Sequence, residues 1–284
     1  MKIAVIVPVF QQWELISKLA KLFKEIKNSH SKEIEFILVD NEPGQISHNQ
    51  NGFTIIDCHK PGSYAARNVG IKAIKADLYI FTDADCLPDK NWLEKLREAF
   101  DESDGHTLLA GEVVIKTHSD QPTTAELYDT ALGLPQARYV SQGYAVTANL
   151  AVPKVVFDEI GLFDEERFSG GDADFCQRAL KAGYKLAFVP DAIVYHPARK
   201  TWHEYATKVR RMKGGQIRAG KLSRRLKYFF ITLIPPVWRI WRTMKSVKLS
   251  PAEKLRVAWF QIRLWFVELF EMVALLFGKT PERR

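Results

Sequence analysis

"LYIFTDADCLP", residues 78–88, runs four apolar or aromatic residues into two aspartates one residue apart. An unbroken apolar run reads as a strand buried on both faces, the hallmark of a parallel sheet. Carboxylates resist burial and repel each other, so this strand must end at a surface where something positive waits. In extended backbone, residues two apart point to the same side. Asp83 and Asp85 can therefore face one hard divalent cation, Mg2+ or Mn2+, whose remaining ligands are often phosphate oxygens. The other reading of the pair is a turn with a helix cap.

The neighbouring segments fit that strand into a sheet. "KIAVIVPVF" (2–10), "EFILVD" (35–40) and "FTIID" (53–57) are further apolar runs that end in turn residues or an acid. Between them, Leu15, Leu19, Leu22 and Ile26 recur at helical spacing. "SYAARNVGIKAIKA" (63–76), with Ser63 as expected N-cap, and "NWLEKLREAF" (91–100) also read as helices. Strands alternating with helices predict an α/β domain with an open, mostly parallel sheet, and ligands bind such sheets beyond the carboxyl ends of the strands. Asp40 and Asp83 both fall at such ends. Further along, "LLAGEVVI" (108–115) and "YAVTANLAV" (144–152) read as strands and "PKVVFDEIG" (153–161) as a short helix. Residues 170–197 read as turn, helix, glycine stop, strand and a short second strand.

Charge divides the chain. Residues 1–198 carry 20 Lys/Arg against 28 Asp/Glu, a net of −8, whereas residues 199–248 carry 15 against one, a net of +14. The boundary is expected there: a domain over 1–198 and a basic helical extension over 199–284. The partner of the extension should be anionic. Three cysteines without metal-ligand spacing argue against a disulfide scaffold or zinc site and suit a reducing compartment. The first strand starts at Lys2–Ile3, leaving no room for a signal peptide, and no apolar run reaches 18 residues. A cytoplasmic protein, peripheral on the inner face of the cell membrane, is the expected setting.

The segments "VIVPVF", "ILVDN", "GSYAARNVG", "FTDADCLP" and "SGGDADFCQRALKAGYKLAFVPDAIVYH" resemble, in order and spacing, the family-two inverting glycosyltransferases of GT-A fold. The likeness spans residues 3–198. It implies a nucleotide-diphosphate sugar donor, with Asp40 at the base, Pro8 and Phe10 beside it and Arg67 near the nucleotide. It also implies a metal on Asp83 and Asp85, with His196 as a further metal or diphosphate contact, and Thr147 and Asn149 lining the sugar and acceptor pocket. The catalytic base falls on Asp172, while Gly171 stands where the family usually has glutamate. The processive members' QxxRW motif is not found, so one sugar per visit is implied, to a glycan or lipid-linked acceptor in surface polysaccharide assembly.

Several of these residues carry a second reading. Asp172 and Asp174 open a helix, where acids cap free N–H groups, and the dipole is expected to lower the Asp172 pKa. Thr147 and Asn149 can simply satisfy backbone groups in a buried strand, and His59 and Cys86 read as structural. Two other functions stay open. A sugar-phosphate nucleotidyltransferase should carry a glycine- and basic-rich loop after the first strand, which "PVFQQWE" lacks. A non-catalytic nucleotide-sugar-binding or scaffold protein would have little use for both the metal pair and Asp172.

The extension reads as a lid or homodimer contact, or as an interfacial anchor with aromatics at the lipid boundary and Lys/Arg on anionic head groups. Its last helix, from Pro251, places Leu255, Trp259, Ile262, Phe266, Leu269, Val273 and Leu276 on one face, with Arg256, Arg263, Glu268 and Glu271 toward the other. No nucleic-acid-binding module is recognisable there, so nucleic acid is not expected as a partner.

Overall fold

The computed structural model describes residues 1–29, 33–42, 53–167, 169–218 and 220–282. They form two compact units: Met1–Val114 with Pro135–Glu166 and Gly171–His196, and Ile115–Leu134 with Arg167–Gly170 and Pro197–Arg284.

The first unit is built on strands β1 (Ile3–Val9), β2 (Ile34–Asp40), β3 (Thr54–Asp57), β4 (Leu78–Phe81), β5 (Leu87–Pro88), β6 (Thr107–Lys116), β7 (Leu150–Pro153) and β8 (Lys185–Pro197). They join in one sheet of order β3-β2-β1-β4-β7-β6-β8-β5. β3, β2, β1 and β4 run parallel, with Val9 opposite Asp40 and Asp40 opposite Asp57. Beyond β4 the pairing turns antiparallel, Phe81 opposite Leu150. The apolar runs follow from burial on both faces: β1 and β4 are almost wholly inaccessible, and each buried Val, Leu or Ile contributes about 1.5–3 kcal/mol. The α/β fold class and the positions of β1, β2, β3, β4 and β6 agree with the sequence, whereas the short β5 was not anticipated.

Helices α1 (Trp13–Ser29), α2 (Ser63–Ala73) and α3 (Trp92–Asp101) follow the predicted segments. Ser63, however, is the first helical residue rather than the cap. The cap is Gly62, at φ 126°, a conformation that only glycine adopts readily. α4 (Thr124–Leu132) and α5 (Gln136–Ser141) were not anticipated. "YAVTANLAV" is strand only in its last part, because Thr147–Asn149 make a 3-10 turn before β7. α6 (Lys154–Ile160) and α7 (Gly171–Lys181) lie where expected, and the two strands read into residues 185–197 are the single β8.

The second unit consists of α4, α8 (Trp202–Arg218), α9 (Leu222–Leu233), α10 (Val237–Met244) and α11 (Pro251–Leu276). α4 and α11 both open with a capping box, Thr123 with Glu126 and Ser250 with Glu253. α11 packs through Val257, Phe260, Leu264, Met272 and Leu275, with Phe260 edge-on to Trp202 and Tyr205. On the face read as apolar, Leu255, Trp259, Phe266, Val273 and Leu276 are exposed, whereas Ile262 and Leu269 are half-buried. Of the charged residues read toward the other face, Arg256 and Arg263 are exposed, and Glu268 and Glu271 are buried. Lys213 and Arg239 reach Glu268 at 3.2 and 3.0 Å, and Lys279 lies 2.6 Å from Glu271. Apolar residues ring this helix, so periodicity alone could not say which side is buried. Among the described residues, no helix is long and apolar enough to cross a membrane.

Candidate active site

Parallel pairing of β1, β2 and β4 brings Phe10, Asp40 and Thr82–Asp85 to one edge of the sheet. Asp40 is buried and accepts the Glu42 N–H through Oδ1 at 2.9 Å. Pro8 and Phe10 are partly buried at the end of β1. Gln11, which follows, has φ 53°, the one positive value among described non-glycine residues. Its side chain donates to Glu42 at 3.3 Å, tying the loop after β1 to the loop after β2. Asn41 was not singled out from sequence, yet it organises the entry to α2. Its Nδ2 donates to the carbonyls of Cys58 and Lys60 at 3.1 and 2.7 Å, and its Oδ1 accepts the Gly62 N–H at 2.8 Å.

Arg67 answers the question of charge at the end of β4. Its Nη2 donates to Asp83 Oδ1 at 2.5 Å. The guanidinium is buried, and its Nε has no hydrogen-bond partner. Asp85 turns elsewhere. Its carboxylate, the imidazole of His196 and the thiol of Cys86 each place a ligand atom within 4.8 Å of the others, Asp85 Oδ2 and His196 Nε2 being 3.8 Å apart. Of the residues read as metal ligands, Asp83 faces Arg67, whereas Asp85 and His196 lie together with Cys86, which was read as structural. A carboxylate and an imidazole suit a borderline divalent ion such as Mn2+. Burial, then the charges of Asp85 and Asp83, pushes the Cys86 thiol well above its usual pKa, so without an ion the sulfur is a neutral neighbour. The orphaned Nε of Arg67 beside this group is a spare donor suited to a phosphate oxygen.

Asp172 stands in the first turn of α7, entered through Gly170 at φ 72°. Tyr64 of α2 donates its hydroxyl to Asp172 Oδ1 at 3.2 Å, and the Ala173 N–H reaches the same oxygen at 2.9 Å. The expected lowering of its pKa is overturned. Burial raises it, and the Ala173 N–H, the charge of Arg67 and the Tyr64 hydroxyl offset only part of that rise. Desolvation outweighs the helix end, which leaves a stronger base than an exposed aspartate.

Thr147 is buried in the 3-10 turn. Asn149 is fully buried, and its side chain is spent on structure. Its Nδ2 donates to the carbonyls of Glu112 and Ala192 at 2.8 Å each, and its Oδ1 accepts from Trp92 Nε1 at 2.8 Å. A Cβ at Gly111 would lie 2.3 Å from that Nδ2, so Gly111 is the residue that makes room for it. Asn149 therefore fills the backbone-satisfying role that its sequence context also allows.

An open α/β sheet binds its ligands beyond the carboxyl ends of its strands, where these acids and Arg67 stand, and comparison with known proteins gives the class, the glycosyltransferases. The sequence profile of Glycosyl transferase family 2 matches residues 4–161, and the chain belongs to that family. It is 34% identical over 232 residues to Glycosyltransferase AglE of Haloferax volcanii, covering 78% of this chain and 75% of that one. It is 31% identical over 147 residues to the pre-mycofactocin glycosyltransferase of Mycobacterium tuberculosis, half of this chain but 31% of that protein. Among solved structures, the mannosyltransferase PcManGT from Pyrobaculum calidifontis, in complex with GDP-Man and Mn2+, aligns with TM-score 0.56 and 12% identity over 99% of this chain and 77% of its own. Residues 1–349 of S. aureus TarS align with TM-score 0.50 and 17% identity over 98% and 92%. These likenesses establish the GT-A fold.

Proposed function

We propose that the protein is a metal-dependent inverting glycosyltransferase that moves a sugar from a nucleoside-diphosphate sugar to a hydroxyl of a glycan or lipid-linked acceptor. The observation that carries this reading is the division of labour at the sheet edge. Arg67 is neutralised by Asp83 and keeps a spare donor, Asp85 and His196 converge on one point, and Asp172 is set apart with a raised pKa. Asp40 binds the base. Arg67 holds the diphosphate, and Asp85 and His196 would hold the divalent ion, Asp83 standing beside it on Arg67. When bound, the ion neutralises charge on the leaving diphosphate. Asp172 takes the proton of the acceptor hydroxyl as that oxygen attacks the anomeric carbon. A single displacement inverts the configuration. The bound Mn2+ and GDP-Man of the Pyrobaculum neighbour support the donor class and the metal.

The second unit supports an acceptor presented at a membrane. Phe230, Trp238, Trp241, Trp259 and Phe270 are exposed on helices whose flanking segment, 199–248, carries a net charge of +14. Aromatics at the acyl boundary with Lys/Arg on anionic head groups is an interfacial arrangement. It supports a site of action on the inner face of the cell membrane.

Calorimetric titration of UDP, GDP and their sugars with and without Mn2+ tests the chemistry. Metal-dependent binding that is lost in Asp85→Asn, with the circular dichroism spectrum unchanged, is the expected result. Equal binding and equal metal dependence in the variant would overturn the site assignment.

A further inference from the structure

Tyr64 lies within the segment "GSYAARNVG", but was given no role from sequence. Its ring is buried, stacked on Phe163 with centroids 5.9 Å apart. The Arg67 guanidinium lies 5.8 Å from the ring centre. Its hydroxyl and the Ala173 N–H both bond Asp172 through Oδ1. The helix start is shaped around the same ring. A Cβ built on Gly171 would lie 2.7 Å from Tyr64 Cε2 and 2.8 Å from Cδ2 and Cζ. Such distances do not occur in real structures, and a ring held between Phe163 and the helix start cannot retreat. Position 171 can carry no side chain while Tyr64 stands where it does.

We propose that Tyr64 is the positioning residue of Asp172: its hydroxyl fixes Oδ1 and leaves Oδ2 as the oxygen that receives the acceptor's proton, and Gly171 lacks a side chain in order to seat its ring. The inference rests on the reading of Asp172 as the base. In the balanced step, the acceptor O–H proton passes to Oδ2 and the acceptor oxygen bonds the anomeric carbon. The anomeric C–O bond breaks with its electron pair leaving on the diphosphate. Tyr64 keeps its own proton throughout. Burial, with the charge of Asp172 close by, holds the phenol far above its usual pKa, so it acts as a fixed donor and not as an acid. Arg67 contacts both this ring and Asp83, which puts the base and the metal-side acids on one continuous set of contacts.

The test separates this role from plain packing. Tyr64→Phe keeps the ring and removes only the hydroxyl. The first readout needs no substrate: carbon-13 NMR of labelled aspartate carboxyls, with the Asp172 signal assigned by its loss in Asp172→Asn. Removing one hydrogen bond to the carboxylate should move the Asp172 midpoint up by about one unit. The second readout is turnover of the nucleoside-diphosphate sugar that binds in calorimetry. The acidic limb of its pH profile should shift upward by the same amount, with kcat at the optimum lowered about 10- to 100-fold and donor affinity unchanged. An unchanged Asp172 midpoint and limb in Tyr64→Phe, beside an inactive Asp172→Asn, would overturn the role of Tyr64 alone. Normal turnover in Asp172→Asn would overturn the base itself, and Tyr64 with it. Gly171→Ala gives an independent check. It should lower the melting temperature in the native background and cost less in a Tyr64→Ser background, and equal costs in both would refute the seating of the ring.

Discussion

Arg67 and Asp83 form a 2.5 Å ion pair in which the guanidinium is 3% exposed and the carboxylate 36% exposed. The burial is lopsided, so the two halves of the pair should not be equivalent. Removing the carboxylate strands a buried cation, whereas removing the guanidinium leaves a carboxylate that water can still reach. Asp83→Asn should therefore cost about 3–5 kcal/mol and Arg67→Met about 1–3 kcal/mol. Urea denaturation of both variants checks the order. Equal losses would mean that the arginine is better hydrated than its burial shows.

Asp172 should be a residue that the fold carries at a cost. Its pKa is raised in the folded state by burial. A carboxyl with a raised folded pKa favours folding most below its unfolded value of about 3.9, and that contribution is lost as pH rises through the folded value. At neutral pH the ionised, desolvated group is a liability. Asp172→Asn keeps an oxygen for Tyr64 and Ala173 and removes the charge. Its melting temperature should exceed the wild type's at pH 7, the difference vanishing below about pH 4, while transfer falls by roughly 100- to 10,000-fold. A variant that is less stable at neutral pH would mark Asp172 as a structural cap.

Glu268 carries the opposite sign. Burial raises its pKa, but Arg239 and Lys213 together outweigh that, and the net shift is downward. A lowered folded pKa stabilises above the unfolded value and loses that contribution as pH falls through the folded one. Glu268→Ala leaves Lys213, which also bonds Thr232 and Gln216, without its buried counter-charge. The expected loss at pH 7 is about 3–5 kcal/mol, shrinking as both proteins are taken to acid pH. Denaturant midpoints measured from pH 3 to pH 8 follow the trend.

The strands of the first half and the acids at their ends were legible because each apolar run is short, bounded and buried on both faces, which leaves one interpretation. Asp83, Asp85, Asp40 and Arg67 do converge at one sheet edge. Tyr64 and Asn41 were not legible, since their roles come from segments distant in sequence. Nothing local to Asn149 reveals that Trp92, Glu112 and Ala192 hold its amide. α4 could have been found: Thr123 and Glu126 have capping-box spacing, and the box is formed. The pKa of Asp172 was misjudged because a helix end is visible in sequence and burial is not.

The last prediction turns on the two faces of α11. Val257 is inaccessible, whereas Leu255 and Trp259, on the opposite side, are 69% and 62% exposed. Val257→Asp buries an unpaired charge and should unfold the second unit. Leu255→Asp and Trp259→Asp meet solvent in the isolated protein, so their stability should change by no more than about 0.5 kcal/mol. If the exposed face lies in the membrane interface, the same two changes should weaken vesicle binding, because each replaces an inserted apolar group with a charge repelled by anionic head groups. Binding of the wild type should rise with anionic lipid content and fall with salt, since head-group attraction is screened over about 8–10 Å at physiological ionic strength. Flotation with neutral and anionic vesicles, at low and high salt, measures both effects. A homodimer through this face predicts something different. Leu255→Asp and Trp259→Asp would then turn a dimer into a monomer in light scattering without lipid, and flotation would be weak for every form. Strong flotation of a monomeric wild type at low salt, lost in both surface variants and retained by a conservative Trp259→Phe, would assign the face to lipid.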